Sequence, residues 1–254
     1  MYPDHQPARI RRATLEDIET MADVVLASLA SGPSWRSLVP AGFQKDPTYR
    51  QYARDILMKH LAPENFDSLV LVAESPCKGV YTIVSVAIWN TAHSRYHEAW
   101  RMSSSTLCEV GDVVPDASPE AHDSVIDKLN ALSAAISFSQ KQHFEQFEPY
   151  VYLEVIATHP AYRGQGYAKA LCAVGVDSAQ KRSLAIAALT SSRDYIFFSG
   201  MSFRDLGCVT IRGADRPRDD CTLKAMILHP QQPKRRSSVV NSFLSYVSLS
   251  SLSQ

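Results

Sequence analysis

The residues best suited to chemistry form a short glycine-rich loop in the second half of the 254-residue chain. The loop is Arg163-Gly164-Gln165-Gly166-Tyr167-Ala168. A predicted strand, Tyr150 to Ala157, precedes it and ends at a Thr-His-Pro turn. A helix is predicted to begin at Tyr167, because small and apolar residues then recur at helical spacing. A strand, a tight turn and a helix therefore meet around this loop.

This arrangement predicts an anion site. The first N–H groups of a helix have no intrahelical partner, and the helix dipole is positive at that end. Gly164 and Gly166 lack a Cβ, so an anion can approach the backbone closely, and Arg163 adds a planar fork of charged donors. Two linked negative groups, as in a pyrophosphate, suit the loop better than one carboxylate. The Rossmann fingerprint fails because Lys169 stands where its third glycine would be, and the P-loop spacing also fails.

Composition narrows the classes of function. Apolar residues make up 45% and charged residues 20%, which is ordinary for a soluble globular protein. The chain has 26 basic and 26 acidic residues, and this balance argues against a dedicated nucleic-acid binder. Five cysteines without a CxxC pair disfavour a disulfide framework and a zinc site. No stretch is typical of a signal peptide or a membrane span. We expect a cytoplasmic protein with no metal and no membrane partner, although soluble nuclear residence would also fit.

The elements around the loop are predicted in a definite order. A short edge strand and two amphipathic helices come first, followed by a strand hairpin. A further strand, a short helix and two closing strands follow the loop and its helix. The predicted bounds are 9–13, 14–29, 46–61, 69–73, 80–89, 150–157, 167–181, 184–189, 194–200, 203–212 and 222–228. A further helix is predicted over 120–145, before the strand that precedes the loop. The order predicts a mixed α/β layer, and serine-rich residues 231–254 are predicted to be a disordered tail.

The stretch from Leu153 to Ala168 resembles the acetyl-CoA motif of the GNAT N-acetyltransferase superfamily. That motif is Arg/Gln-x-x-Gly-x-Gly/Ala after a strand that ends in a proline turn, and Arg163, Gly166 and Ala168 fill its fixed positions. The similarity extends over roughly residues 8–230 and is greatest to fungal small-molecule-type members. It implies a single GNAT domain, 1–230, with an insertion at about 91–149. The implied fold is a central, mostly antiparallel sheet with helices on both faces.

The resemblance also implies a co-substrate, acetyl-CoA, and neither a metal nor a covalent enzyme intermediate. In this family the motif strand splays from its neighbour. The pantetheine arm then pairs with backbone groups, here of Ile156, Ala157 and Thr158. The loop from Arg163 to Ala168 would bind the pyrophosphate, and Ser191 would face the coenzyme.

The implied reaction moves an acetyl group to an amine of a small molecule by direct attack in a ternary complex. Glu154 on the motif strand is the expected general base, with His159 as an alternative that could instead cap the turn. Phe198 stands where many members carry the tyrosine that acts as general acid. Tyr195, three residues earlier, would replace that tyrosine, or a water would. Phe198 also leaves open a catalytically weak or inactive acyl-CoA-binding regulatory protein.

The acceptor is expected to bind between the first two helices and the insertion. Six aromatic residues are candidates for its lining, and the alternative is that most of them are core or edge residues. They are Trp35, Tyr49, Tyr52, Trp89, Tyr96 and Trp100.

Overall fold

The structure is a computed structural model that describes residues 9–32, 42–77, 79–93, 133–134, 136–211 and 221–230. Its strands and helices lie close to the predicted bounds. The strands are β1 Arg9–Arg12, β2 Ser68–Cys77, β3 Val80–His93, β4 Tyr150–Thr158, β5 Ala185–Ser191, β6 Arg204–Ile211 and β7 Cys221–Leu228. The helices are α1 Ile18–Ser31, α2 Pro47–Leu61, α3 Tyr167–Lys181 and α4 Tyr195–Gly200.

The strands form one seven-stranded sheet in the order β1-β2-β3-β4-β5-β7-β6. Every neighbouring pair is antiparallel except β4 and β5, which run parallel. Helices pack on both faces. The predicted mixed, mostly antiparallel sheet is therefore confirmed, and β1 lies at an edge as expected.

The parallel pair β4–β5 is short. Its register runs from Tyr150 opposite Ala185 to Leu153 opposite Ala188 and then stops. Beyond that point β4 continues to Thr158 along β3, and β5 continues to Ser191 along β7. The two strands consequently diverge, and a gap opens in the middle of the sheet.

The two faces of the sheet carry different helices. On one face, α3 packs its buried Leu171 and Cys172 into the cluster that contains Trp89 and Leu153. On the other face, α1 and α2 bury apolar residues against β2 and β3, and Met21, Leu57, Val72 and Val86 are among them. The beginning of α2 shows how local chemistry sets an element. The side chain of Asp46 accepts a hydrogen bond from Thr48 N at 2.8 Å, and Pro47 takes the first helical position.

The predicted insertion is described only at its end. A helix was expected over 120–145, and the described part has helical residues at 136–139, a π-helical turn at Gln140–Phe144 and a 3₁₀ turn at Glu145–Phe147. Phe144 is fully buried under β4. The rest of the insertion and the predicted serine-rich tail lie outside the described residues.

The aromatic residues proposed for the acceptor site differ in how deeply they are buried. Trp89 is fully buried on the α3 face, so the alternative of a core residue is the one that applies to it. Tyr49 is also buried, with its ring centroid 5.3 Å from that of Phe43. Tyr52 is exposed on α2. The other three candidates lie outside the described residues.

Candidate functional site

The glycine loop has the backbone geometry of an anion site. Gly164 and Gly166 have φ values of +78° and +86°, in the left-handed region that favours glycine. Gly166 is the N-cap of α3, and the first bond of the helix runs from Ala170 N to Gly166 O at 2.9 Å. The N–H groups of Tyr167, Ala168 and Lys169 are therefore not used by the helix. A Cβ on either glycine would meet no atom within 4 Å, so the space above the loop is open.

Tyr167 fixes the loop to the sheet. Its side chain is buried, and its hydroxyl donates to Ser75 Oγ in β2 at 2.9 Å. The side chain points into the core, so Tyr167 can offer a bound anion only its main-chain N–H. The neighbouring Gln165 is exposed.

Arg163 joins the loop to the first helix. Its guanidinium donates to both the carbonyl and the hydroxyl oxygen of Ser28 in α1, at 3.2 Å each. The side chain is exposed, so the charge lies at the rim of the loop and α1 holds it there.

The free edge of β4 offers backbone groups to the gap. His159 N–H donates to Val84 O at 2.9 Å, and Ser85 Oγ donates to Ala157 O at 2.8 Å, so residues 157 and 159 direct their main chain toward β3. Backbone groups alternate in an antiparallel ladder. Ile156 and Thr158 therefore direct theirs toward the gap. Of the three residues predicted to pair with pantetheine, these two have suitably oriented amides, and Ala157 does not.

Glu154 is the extra residue of a β-bulge. Leu153 lies opposite Trp89 and Val155 lies opposite Ile88, the next residue of β3, so Glu154 is the additional residue at this register shift. A bulge redirects a side chain, and here the carboxylate points to the α2 face at the point where β4 leaves β5. Glu154 Oε2 lies 3.1 Å from Nε2 of His60 in the last turn of α2. His60 Nδ1 in turn lies 3.0 Å from Ser68 Oγ at the start of β2.

Tyr152 lies close to Glu154 on the same strand. Burial raises the pKa of the Tyr152 phenol above its usual range, and the nearby Glu154 charge raises it further, against a hydrogen bond with Gln140. The phenol is consequently protonated at neutral pH. His60 was not predicted as a site residue. Its only sequence signal was its helical spacing, which indicates a buried face of α2 and not a carboxylate partner.

His159, the alternative base, caps a turn. Its Nδ1 accepts from Ala161 N at 3.3 Å at the start of the 3₁₀ turn Pro160–Tyr162. Its ring centroid lies 5.9 Å from that of Tyr162. The capping interpretation is the one that these contacts support.

The β5 side of the gap is shaped by a tight turn. Ser191 is buried, its hydroxyl donates to Asp194 Oδ2 at 2.7 Å, and it accepts from Asp194 N at 3.2 Å. Ser191 was expected to face the coenzyme. In the structure its hydroxyl holds the turn from β5 into α4.

Helix α4 carries Phe198, at the usual position of the general acid, and Tyr195, its expected replacement. Phe198 is buried, with its ring centroid 5.2 Å from that of Phe203, so it is a core residue. Tyr195 is half-buried, and Lys224 Nζ lies 4.3 Å from its ring centroid. Lys224 also forms an ion pair with Asp205, which raises the pKa of the Lys224 amine. Of the aromatic residues of α4, Tyr195 is the one that carries a hydroxyl group.

The described residues form neither a metal-binding cluster nor a membrane-spanning helix. No group of three or more His, Cys, Asp or Glu residues in these parts of the chain is arranged to hold a metal ion. None of the helices within the described ranges has both the length and the apolar character needed to cross a membrane.

Comparison with known proteins agrees with this geometry. Residues 85–194 match the model of the acetyltransferase (GNAT) family, a stretch that contains β4, the glycine loop, α3 and β5. A structure titled histone acetyltransferase HPA2 and related acetyltransferase, from Corynebacterium glutamicum, is 20% identical, with a TM-score of 0.55. The alignment covers 90% of this chain and 99% of that one. The chain has the GNAT fold. An apo mutant of agmatine N-acetyltransferase shares the GNAT fold at 11% identity and a TM-score of 0.52, covering 88% of this chain and 100% of that one. No curated protein sequence matches the chain.

The GNAT match falls on the part of the chain where the gap and the loop meet. The β4–β5 gap, the bulge at Glu154 and the N-terminus of α3 all lie between residues 85 and 194. The first two helices lie outside the matched residues. Helix α2 carries His60, which contacts Glu154 at the gap, and α1 carries Ser28, which contacts Arg163 in the loop. These two contacts connect the first two helices to the residues that match the GNAT family.

Proposed function

We propose that this protein transfers an acetyl group from acetyl-CoA to an amine of a small molecule. The observation that carries the proposal is the end of β4–β5 pairing at Leu153 and Ala188, beside a loop with free amides. An open strand edge that leads to an anion site suits a ligand with an amide-containing arm and a pyrophosphate. Coenzyme A has both parts.

Each part of the coenzyme has a matching element. The amides of Ile156 and Thr158 would pair with the pantetheine arm, as a strand pairs with its neighbour. The N–H groups from Gly164 to Ala168 would bind the pyrophosphate, where the dipole of α3 adds to the attraction. Arg163, held by Ser28, would supply positive charge at the rim.

The acyl group would then lie in the gap near Glu154. The acceptor ammonium gives a proton to the Glu154 carboxylate, and the free amine nitrogen attacks the thioester carbonyl carbon. The C–N bond forms, the C–S bond breaks, and the sulfur leaves with the electron pair and gains a proton. The products are an amide, free coenzyme A and one released proton.

Tyr195 is the proposed donor of the proton to the leaving sulfur. It follows β5, on the opposite side of the gap from Glu154, and its hydroxyl is the acidic group that Phe198 lacks. We expect Tyr195→Phe to lower turnover by roughly a hundredfold, because general acid catalysis contributes at least that much. The phenylalanine keeps a ring beneath Lys224, so the fold should be unaffected.

Coenzyme binding is tested by thermal unfolding with and without acetyl-CoA. A ligand that binds only the folded state stabilises it by about 2.7 kcal/mol at a hundred times its dissociation constant. We expect a clear rise in Tm with acetyl-CoA and none with acetate. No rise at saturating acetyl-CoA would refute the proposed function.

Turnover is tested by thiol release across a panel of small amines and lysine-containing peptides. We expect release with small amines, and Glu154→Gln should lower it by roughly 10²–10⁴-fold, the usual contribution of a general base. Glu64→Gln, at an exposed carboxylate, is the matched control. Release with peptides alone would overturn the choice of a small acceptor.

The second candidate is an acyl-CoA-binding protein without catalysis, and the buried Phe198 favours it. The two candidates differ in one outcome. A rise in Tm with acetyl-CoA but no thiol release with any amine would support the binding protein.

A further inference from the structure

We infer that His60 is a positioning residue that holds the Glu154 carboxylate at the mouth of the β4–β5 gap, with Ser68 fixing the imidazole. The inference rests on the proposed function, because it assigns Glu154 a place in acetyl transfer. His60 belongs to α2, outside the residues that match the family model.

The contacts form a chain across three elements. Ser68 Oγ lies 3.0 Å from His60 Nδ1, and His60 Nε2 lies 3.1 Å from Glu154 Oε2. The His60 side chain is 11% exposed and the Glu154 side chain 23%, so both are shielded, although a ligand can still reach Glu154. Both ring nitrogens are occupied, which leaves the imidazole little freedom to rotate.

The local backbone explains why Glu154 needs such a partner. A residue in a bulge does not have the regular side-chain direction of a strand, so its orientation depends on what its side chain contacts. A shielded ion pair loses hydration when it forms, so its net contribution to the free energy of folding is often small. The contact with His60 therefore matters more for the direction of the carboxylate than for the stability of the protein.

The Glu154 carboxylate determines which nitrogen carries the proton. An ionised carboxylate only accepts hydrogen bonds, so its contact with Nε2 requires the ring proton there, and the Ser68 hydroxyl can then donate to Nδ1. His60 Nε2 thus contacts the carboxylate through Oε2 and fixes its direction at the mouth of the gap. Tyr152, on the same strand, also interacts electrostatically with Glu154.

The test compares His60→Ala, His60→Gln and Ser68→Ala with the wild type in thiol release over a range of pH. We expect His60→Ala to lower kcat by up to roughly a hundredfold, the cost of about 1 Å of misplacement. The pH profile of kcat/KM should also change, because the carboxylate loses the ring N–H group that contacts it. His60→Gln keeps an N–H donor and should recover part of both effects, and Ser68→Ala should give a smaller change in the same direction.

The control is His229→Ala. His229 is an exposed histidine that follows β7 and contacts Arg204. It should leave turnover and pH profile unchanged, and the dissociation constant for acetyl-CoA should be the same in all variants. A His60→Ala profile that superimposes on the wild type within twofold in kcat would overturn the inference. A loss of near-UV circular dichroism in His60→Ala would indicate a folding defect. In that case the pH profile of His60→Gln is compared with the wild type by the same twofold criterion in kcat.

A second measurement separates this inference from the proposed function. If the wild type releases no thiol, the proposed function fails, and ¹⁵N spectra of the His60 imidazole then decide the positioning. We expect the Nε2-protonated form in the wild type, and a change in both ring-nitrogen shifts in Glu154→Gln and in Ser68→Ala. Shifts that are the same in all three proteins would overturn it.

Discussion

The indole of Trp89 fills the space that a side chain would need at Gly175. Gly175 lies in the middle of α3, and a Cβ built on it would overlap three atoms of the buried indole. The absence of a side chain lets α3 approach β3 closely enough to cover Trp89 completely. This close approach also sets the position of α3, whose N-terminus forms the anion site.

We therefore expect Gly175→Ala to lower the free energy of unfolding by about 1–3 kcal/mol, the usual cost of overpacking a core. Alanine favours a helix over glycine by about 1 kcal/mol, which offsets only part of this. Urea unfolding followed by tryptophan fluorescence measures the change. Gly200→Ala is the matched control, since nothing lies within 4 Å of a Cβ at Gly200 in α4. Equal stability of the two variants would contradict the close approach.

Gly166→Ala should weaken acetyl-CoA binding more than it weakens the fold. Its φ of +86° costs a residue with a Cβ about 1–2 kcal/mol, and the new methyl group would occupy the open space above the loop. Isothermal titration with acetyl-CoA, together with urea unfolding, separates the two effects. Gly79→Ala has a similar φ of +81° in the β2–β3 turn, so it should lose stability but keep affinity. An unchanged affinity in Gly166→Ala would refute the loop assignment.

The two free cysteines described in the structure should differ in reactivity. Burial raises the pKa of the Cys172 thiol to about 12, whereas Cys208 is exposed on β6. Only thiolates react readily, so at pH 8 iodoacetamide should label Cys208 in the native protein and leave Cys172 unlabelled until urea unfolds it. Peptide mapping by mass spectrometry reports each site. Rapid native labelling of Cys172 would show that α3 does not cover the sheet as described.

Asp17 should support the fold only above acidic pH. Its carboxylate accepts two hydrogen bonds from Arg11, at 2.7 and 2.9 Å, and one from Thr14 N at 2.8 Å. The Arg11 contact holds the pKa of Asp17 below its usual value of 3.8. A carboxyl with a depressed pKa stabilises the folded state above its unfolded pKa, and this contribution disappears as pH falls through the folded pKa.

Asp17→Asn should therefore cost about 1 kcal/mol at pH 7, the usual value of a capping contact, and the cost should shrink as pH falls below 3.8. Urea unfolding at pH 7 and at a pH below 3.8 measures the difference in free energy of unfolding between Asp17→Asn and the wild type. The exposed neighbour Glu16→Gln serves as the control at both. A cost that stayed constant down to pH 2 would contradict the Arg11–Asp17 contact as its source.

Local signals explain which features could be predicted from the sequence. Pro47 after Asp46 fixed the start of α2, and the Gly164 and Gly166 pair marked the loop and the start of α3. Both follow from backbone chemistry within a few residues. The mixed sheet followed from the order of elements.

The remaining features depend on contacts between distant residues. The bulge at Glu154 arises from the register of β4 against β3, and the Glu154–His60 contact joins positions 94 residues apart in the chain. The burial of Trp89 depends on the missing side chain at Gly175. Periodicity within one segment carries no information about any of the three.

The short β4–β5 pair has a consequence for the order in which the protein can assemble. Strands β1 to β4 are consecutive in the chain and pair only with one another, apart from the four residues that reach β5. The ladders of this half of the sheet can be complete once Thr158 has emerged from the ribosome. Strands β5, β6 and β7 then form their own ladders and join the first half along a four-residue seam. The β4–β5 gap is the part of that seam that never closes, so translation order and the geometry of the candidate site follow from the same strand pairing.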